Sequence, residues 1–209
     1  MAISDDVLTK LPPEGLQTIS RQIRDGDLLL CSANDPFSRL IGWSTKSPWT
    51  HIALAYRWPS LKRIMAFECV QHIGVRAVPI ERFISQTSSG TRPYPGKIIL
   101  ARHENFADRR KADDPGPMKR LADFAVDKIG DKFSSGEILK IATRIVVGRF
   151  NRHMPKSLGP DDEFICSEYV ARCFEKIDIQ ILWDGLGFIA PADFARDPKV
   201  HAVARFRTR

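Results

Sequence analysis

Apolar positions follow two periods along this chain. Leu16, Ile19 and Ile23 recur at helical spacing within residues 13–24 and predict a short amphipathic helix. Asp25-Gly26-Asp27 is a turn, and Leu28-Leu29-Leu30-Cys31 after it reads as a buried strand. Asn34-Asp35-Pro36 caps a short helix through Phe37, Leu40 and Ile41. Strands are expected at residues 50–56, 64–70 and 97–103, with a turn at Trp58-Pro59-Ser60. A charged loop with two prolines covers residues 109–117, and the period changes beyond it. Residues 118–129, 137–147 and 164–177 carry helical patterns, and residues 200–206 return as a strand. Strands first and helices afterwards predict one α+β domain, with the loop at 109–117 inside it.

Composition sets the bounds. The 209 residues suit a single core, and 43% hydrophobic with 27% charged residues excludes a disordered or fibrous chain. No run approaches the roughly 18 apolar residues that a membrane span needs. The opening Met1-Ala2-Ile3-Ser4-Asp5-Asp6 is acidic where a secretory signal is basic, so a cytoplasmic location is expected. Lys and Arg number 32 against 25 Asp and Glu, a net charge of +7 that favours anionic partners at low salt. The basic residues are scattered, with small clusters at Arg109-Arg110-Lys111 and at Arg205, Arg207 and Arg209. Neither cluster interleaves with aromatics as a nucleic-acid module would, and no nucleic-acid partner is expected. Of the cysteines Cys31, Cys69, Cys166 and Cys173, none forms a C-x-x-C pair, which argues against a zinc ribbon or finger. Without an export signal, reduced thiols are the default, and three of the four are expected to pack as small hydrophobes.

Cys166 stands apart. It follows Asp161-Asp162-Glu163 at the start of an apolar-periodic run, which places it in or next to the first turn of a helix. Unpaired N–H groups and the positive end of the helix dipole favour a thiolate there and can hold an oxyanion formed by its attack on a carbonyl. Cys173 lies seven residues on, along the same helical face, and reads as buried and inert. His51 occupies an early position of the strand at 50–56, on the face of Ala53 and Ala55, where small neighbours would let a helix terminus dock; an imidazole in reach of a thiol takes its proton. Glu68 is a carboxylate inside the apolar strand Ala66-Phe67-Glu68-Cys69-Val70, and such a group needs a partner. If the two strands pair, Glu68 can orient His51. His72 shares its face by the period of two and is a rival for that role. Each residue taken alone also fits a structural role.

Together these residues resemble a family. Residues 24–30 (Arg24-Asp25-Gly26-Asp27-Leu28-Leu29-Leu30) and 47–54 (Ser47-Pro48-Trp49-Thr50-His51-Ile52-Ala53-Leu54) look like the opening of the circularly permuted NlpC-type papain-fold hydrolases, the YiiX-like proteins. Phe67-Glu68-Cys69-Val70, Gly74-Val75, Val78-Pro79-Ile80-Glu81-Arg82-Phe83, Phe164-Ile165-Cys166-Ser167-Glu168-Tyr169-Val170 and Ile189-Ala190-Pro191-Ala192-Asp193-Phe194 follow in family order. Many relatives have His-Val-Gly-Ile where this chain has His51-Ile52-Ala53-Leu54. The resemblance covers residues 24–209 as one permuted papain-like domain and leaves residues 1–23 as an N-terminal helical extension. It implies an antiparallel sheet packed against helices, with Cys166 as nucleophile, His51 as general base and Glu68 as the orienting residue. Asp27, Trp49 and Thr50 from the same motifs, and His72 from the strand period, are secondary candidates.

The expected activity is hydrolysis of an amide or ester through a cysteine acyl-enzyme, as in a cysteine peptidase or amidase, with no cofactor and no metal. The expected substrate is a small peptide, a cell-wall fragment or a lipid, and an anionic one suits the charge. Alternatives are a lipid acyltransferase or thioesterase on the same fold, and a non-enzymatic binding module. A third is metal binding by Cys166, His51, Glu68 and His72, whose spacing matches no zinc motif.

Overall fold

Four successive apolar residues, Leu28 to Cys31, can all be buried in one strand only if both faces of its sheet are covered. The computed structural model, which describes residues 3, 5–33, 36–85, 94–108, 116–133, 163–183 and 188–208, covers both. Its strands are β1 (Pro13–Glu14), β2 (Asp27–Cys31), β3 (His51–Trp58), β4 (Arg63–Val70), β5 (Gly74–Pro79), β6 (Ile98–His103) and β9 (Val200–Phe206). They form one sheet in the order β1-β9-β6-β2-β3-β4-β5. Every neighbouring pair is antiparallel except β1 with β9, which run parallel, so the sheet is mixed and mostly antiparallel. A separate parallel pair joins β7 (Lys132–Phe133) to β8 (Glu163–Phe164).

Leu28 and Leu30 of β2, with Ile52 and Leu54 of β3, face a layer holding α6 (Gly116–Asp127) and α7 (Cys166–Glu175). Tyr169, Val170, Cys173 and Phe174 of α7 fill that core, together with Leu121 and Ala125 of α6. Leu29 and Cys31, with Ala53, Ala55 and Ala66, face the other way. That face is covered by Ile19 and Ile23 in and just after α2 (Leu16–Gln22), and by Ile80 and Phe83 of α4 (Ile80–Ile84). The α+β architecture is the one expected from strands first and helices afterwards.

Residues 1–23, expected as a helical extension, hold α1 (Asp5–Lys10), β1 and α2. Ile3 and Leu8 are buried in the α7-side core. The short helix α3 (Pro36–Thr45) follows β2, α5 (Asn105–Asp108) follows β6, and α8 (Pro191–Arg196) precedes β9. The helix expected at 137–147 lies outside the described residues; of the loop expected at 109–117, residues 109–115 lie outside them and Gly116 and Pro117 open α6 instead. Among the described residues, no helix is long and apolar enough to cross a membrane.

Candidate active site

The sulfur sits at a helix start. Ile165 is extended (φ −96°, ψ 161°), and Cys166 is the first residue of α7. The first turn closes with the Tyr169 N–H donating to the Ile165 carbonyl at 3.0 Å. Two bonds anchor this helix. Ser167 Oγ donates to the Ile189 carbonyl at 2.7 Å, and Tyr169 OH donates to the Ala125 carbonyl at 2.8 Å. The segment receiving the first is itself fixed, because the Ala190 N–H donates to Asp193 Oδ2 at 2.7 Å. The helix start expected at the acidic run is displaced: Glu163 and Phe164 are in β8, and the helix begins after an extended Ile165 without a side-chain cap. Cys166 borders a cavity of about 20 Å³, walled by apolar groups of Ile41, Phe133, Phe188 and Pro191. That is room for about one water.

His51 is the first residue of β3 and pairs in register with Cys31 of β2. The residues before it hold it there. The Thr50 N–H donates to the Cys31 carbonyl at 2.9 Å, and Thr50 Oγ1 accepts from the Ala33 N–H at 2.9 Å. Trp49 is fully buried and donates Nε1–H to the Ile3 carbonyl at 3.1 Å. Pairing between β3 and β4 runs from Trp58↔Arg63 to Leu54↔Phe67. Just beyond its last pair, His51 Nε2 meets Glu68 Oε2 at 2.7 Å. The ring also stacks on Phe83 of α4, with centroids 6.5 Å apart. The Cys166 sulfur is near enough to the ring to raise the His51 pKa, and Nε2 is engaged by Glu68.

The other oxygen of Glu68 is held by Arg76, whose Nε donates at 2.9 Å and whose Nη2 lies 2.7 Å away, both on Oε1. Hairpin register produces this contact: Val70 pairs with Gly74, so Glu68 pairs with Arg76. Gly74 makes the tight return possible. It has φ +90°, and a Cβ there would lie 2.1 Å from the Asp131 carbonyl oxygen. Burial alone would raise the Glu68 carboxyl, but the His51 hydrogen bond and the Arg76 guanidinium outweigh it and hold the group below the usual carboxylate range. Burial likewise disfavours the His51 imidazolium, yet Cys166 and then Glu68 push its pKa up to about 10. Both shifts favour an imidazolium on His51 paired with an ionised Glu68 carboxylate.

The remaining candidates are placed elsewhere. His72 is not on the face of Glu68. It sits in the exposed turn between β4 and β5 with φ 67°, so the period of two stops at Val70 and the rival role lapses. Asp27 lies at the other end of β2 from Cys31, about 13 Å along the strand at an ordinary strand rise. It accepts two hydrogen bonds from Arg102 at 2.7 Å and one from the Arg24 N–H at 2.7 Å, which makes it a brace of the turn. Trp49 and Thr50 set the position of His51 through the bonds given above. The docking face also differs from expectation. The helix of Cys166 packs on the Ile52 and Leu54 side of β3, while Ala53 and Ala55 make room for the layer of α2 and α4. His51 is reached from both layers because it lies at the end of its strand.

Cys31, Cys69 and Cys173 are fully buried, and burial pushes all three thiols up. Sequence reasoning missed Arg76, although counting back from the turn at residues 71–73 would have set it opposite Glu68.

No family model and no curated protein sequence matches the chain. Among solved structures, the chain is similar to one described as the metalloprotein yiiX from Escherichia coli O157:H7. The TM-score is 0.59 at 17% identity, covering 88% of this chain and 98% of that one. The fold is therefore that of YiiX, in agreement with the permuted papain-like arrangement that the sequence resemblance implies.

Proposed function

We propose that the protein is a cysteine hydrolase that cleaves an amide or ester bond through an acyl-enzyme on Cys166. The observation that carries this reading is the His51 imidazole, bonded to the Glu68 carboxylate at 2.7 Å and close enough to the thiol at the start of α7 for that thiol to raise its pKa. In the proposed cycle the thiolate attacks the carbonyl carbon and forms a C–S bond, and the carbonyl oxygen becomes an oxyanion. Main-chain N–H groups at the start of α7 stabilise that charge. The His51 imidazolium then gives its proton to the leaving nitrogen or oxygen as the scissile bond breaks. His51, now neutral, takes a proton from water, and the hydroxide displaces the thiolate to release the acid. Glu68 keeps the ring oriented and its charge balanced throughout.

A metal-centred reading, prompted by the description of the matched yiiX structure, does not fit these donors. Glu68 spends one oxygen on His51 and the other on Arg76, whose guanidinium would repel a cation. His72 lies in the hairpin turn, and among the described residues no group of three or more His, Cys, Asp or Glu could hold a metal ion.

Labelling of the native protein with limiting iodoacetamide at neutral pH, read by mass spectrometry, tests the hydrolase reading. One adduct is expected, on Cys166, and His51→Ala should slow its formation by roughly tenfold or more. Equal labelling of Cys31, Cys69 or Cys173, or a rate indifferent to His51→Ala, would refute it.

A further inference from the structure

At the end of the sheet that carries His51, a groove of about 1260 Å³ opens between α3, the start of β6 and the end of β9. This exceeds the usual volume of a small-molecule pocket and suits an extended ligand. It continues the candidate site in two ways. Thr50, next to His51 in the chain, lines it. A series of rings also connects them, because His51 stacks on Phe83 and Phe83 stacks on Tyr94 (centroids 6.4 Å apart), which forms part of the groove wall.

The lining is one-sided in charge. It includes Arg39, Lys97, Arg205 and Arg207 and, among the described residues, no Asp or Glu, in a chain with 25 acidic residues. Arg205 and Arg207 donate to the neutral carbonyls of Leu8 and Pro13, at 3.4 and 3.2 Å, which leaves their charge uncompensated by those contacts. Trp43, 53% exposed, adds a flat apolar surface beside them. Among the described residues, the cavity at the sulfur is about 20 Å³, too small for an alkyl chain, whereas the groove has room for an extended one.

We infer that this groove binds an acidic stretch of a peptide substrate, its carboxylates facing Arg39, Arg205 and Arg207 and its bond to be cut lying toward His51 and Cys166. This inference rests on the hydrolase reading, but its test does not. The probe is an acetylated, amidated peptide of alternating glycine and glutamate, titrated calorimetrically into the Cys166→Ala protein, which can bind but not turn over. Its glutamine counterpart should bind roughly tenfold more weakly or worse, and added salt should weaken the glutamate peptide. The double variant Arg39→Gln with Arg207→Gln should lose a similar factor, and Arg39→Gln alone about threefold if the double variant fails to fold.

Equal binding of the two peptides, or binding unchanged in these variants, would overturn the inference. So would capture by phosphatidylserine vesicles through the same arginines without peptide binding. If the glutamate peptide binds as stated while iodoacetamide shows no preference for Cys166, the groove stands and the hydrolase reading falls. Selective labelling of Cys166 without peptide binding has the opposite meaning.

Discussion

The Glu68 carboxylate has two oxygens and two tasks. Oε2 fixes the His51 ring, and Oε1 is clamped by Arg76, so the ring cannot turn away without breaking a buried, charge-assisted pair. Arg76 is thus a positioning residue that acts through Glu68. With hydrolysis of p-nitrophenyl acetate as the readout, Glu68→Gln should lower kcat by roughly two to four orders of magnitude, by analogy with the carboxylate of serine-protease triads. His72→Gln should leave kcat unchanged, because the residue is exposed in a turn. Arg76→Gln should lower kcat by roughly tenfold with little change in KM, and should move the acidic limb of the pH profile upward, since a guanidinium that holds Glu68 ionised is gone. A larger kcat loss at His72 than at Glu68 would contradict the assignment. At this scale the sequence was informative about residue types. A carboxylate in an apolar strand is costly without a partner, and Cys166 is set apart from the other cysteines by its place at a helix start. The choice between Glu68 and His72 was not legible, because strand period says nothing about where the strand ends and the turn begins.

At the scale of elements, the hairpin of β4 and β5 and the end of β2 do different work. The hairpin brings Arg76 to Glu68, whereas β2 carries a brace at one end and the partner of His51 at the other. Asp27 is 1% exposed and holds the buried side of Arg102 with two hydrogen bonds. Removing one partner strands the other charge, so Asp27→Ala should cost about 3–5 kcal/mol of stability in urea unfolding. Alkylation of Cys166 in the folded variant should keep its wild-type rate. A drop in that rate at unchanged stability would return Asp27 to the active site. Most element positions were legible from periodicity, because β2, β3 and the helix of Cys166 are long enough to show their pattern. The pattern places the start of that helix two residues early, at Phe164 and not Cys166. Acidic residues ahead of an apolar run usually mark a cap, but here Glu163 and Phe164 are taken up by pairing with β7. Pairing with a distant strand overrides a local signal.

Across the whole molecule, the site exists where two layers meet at the end of one sheet. Phe83 comes from the α4 side and Cys166 from the α7 side, and His51 lies between them. Local pattern could not show this. It did not reveal which face α7 covers, nor that β1 pairs parallel to β9, since both depend on contacts between residues far apart in the chain. Order along the chain was more informative, and the family resemblance that it supports agrees with the fold of YiiX. The central claim is that His51 shares charge with the sulfur from one layer and the carboxylate of its own sheet. Its direct test is the protonation of one ring, followed by carbon-13 NMR of labelled imidazoles, with His51→Gln to assign the signal. His51 should remain an imidazolium through neutral pH and lose its proton near pH 10. In Cys166→Ala, burial is opposed by Glu68 alone, and the midpoint should fall well below that value. A His51 that is neutral at pH 7 in the wild-type protein, or a midpoint identical in both proteins, would contradict the account.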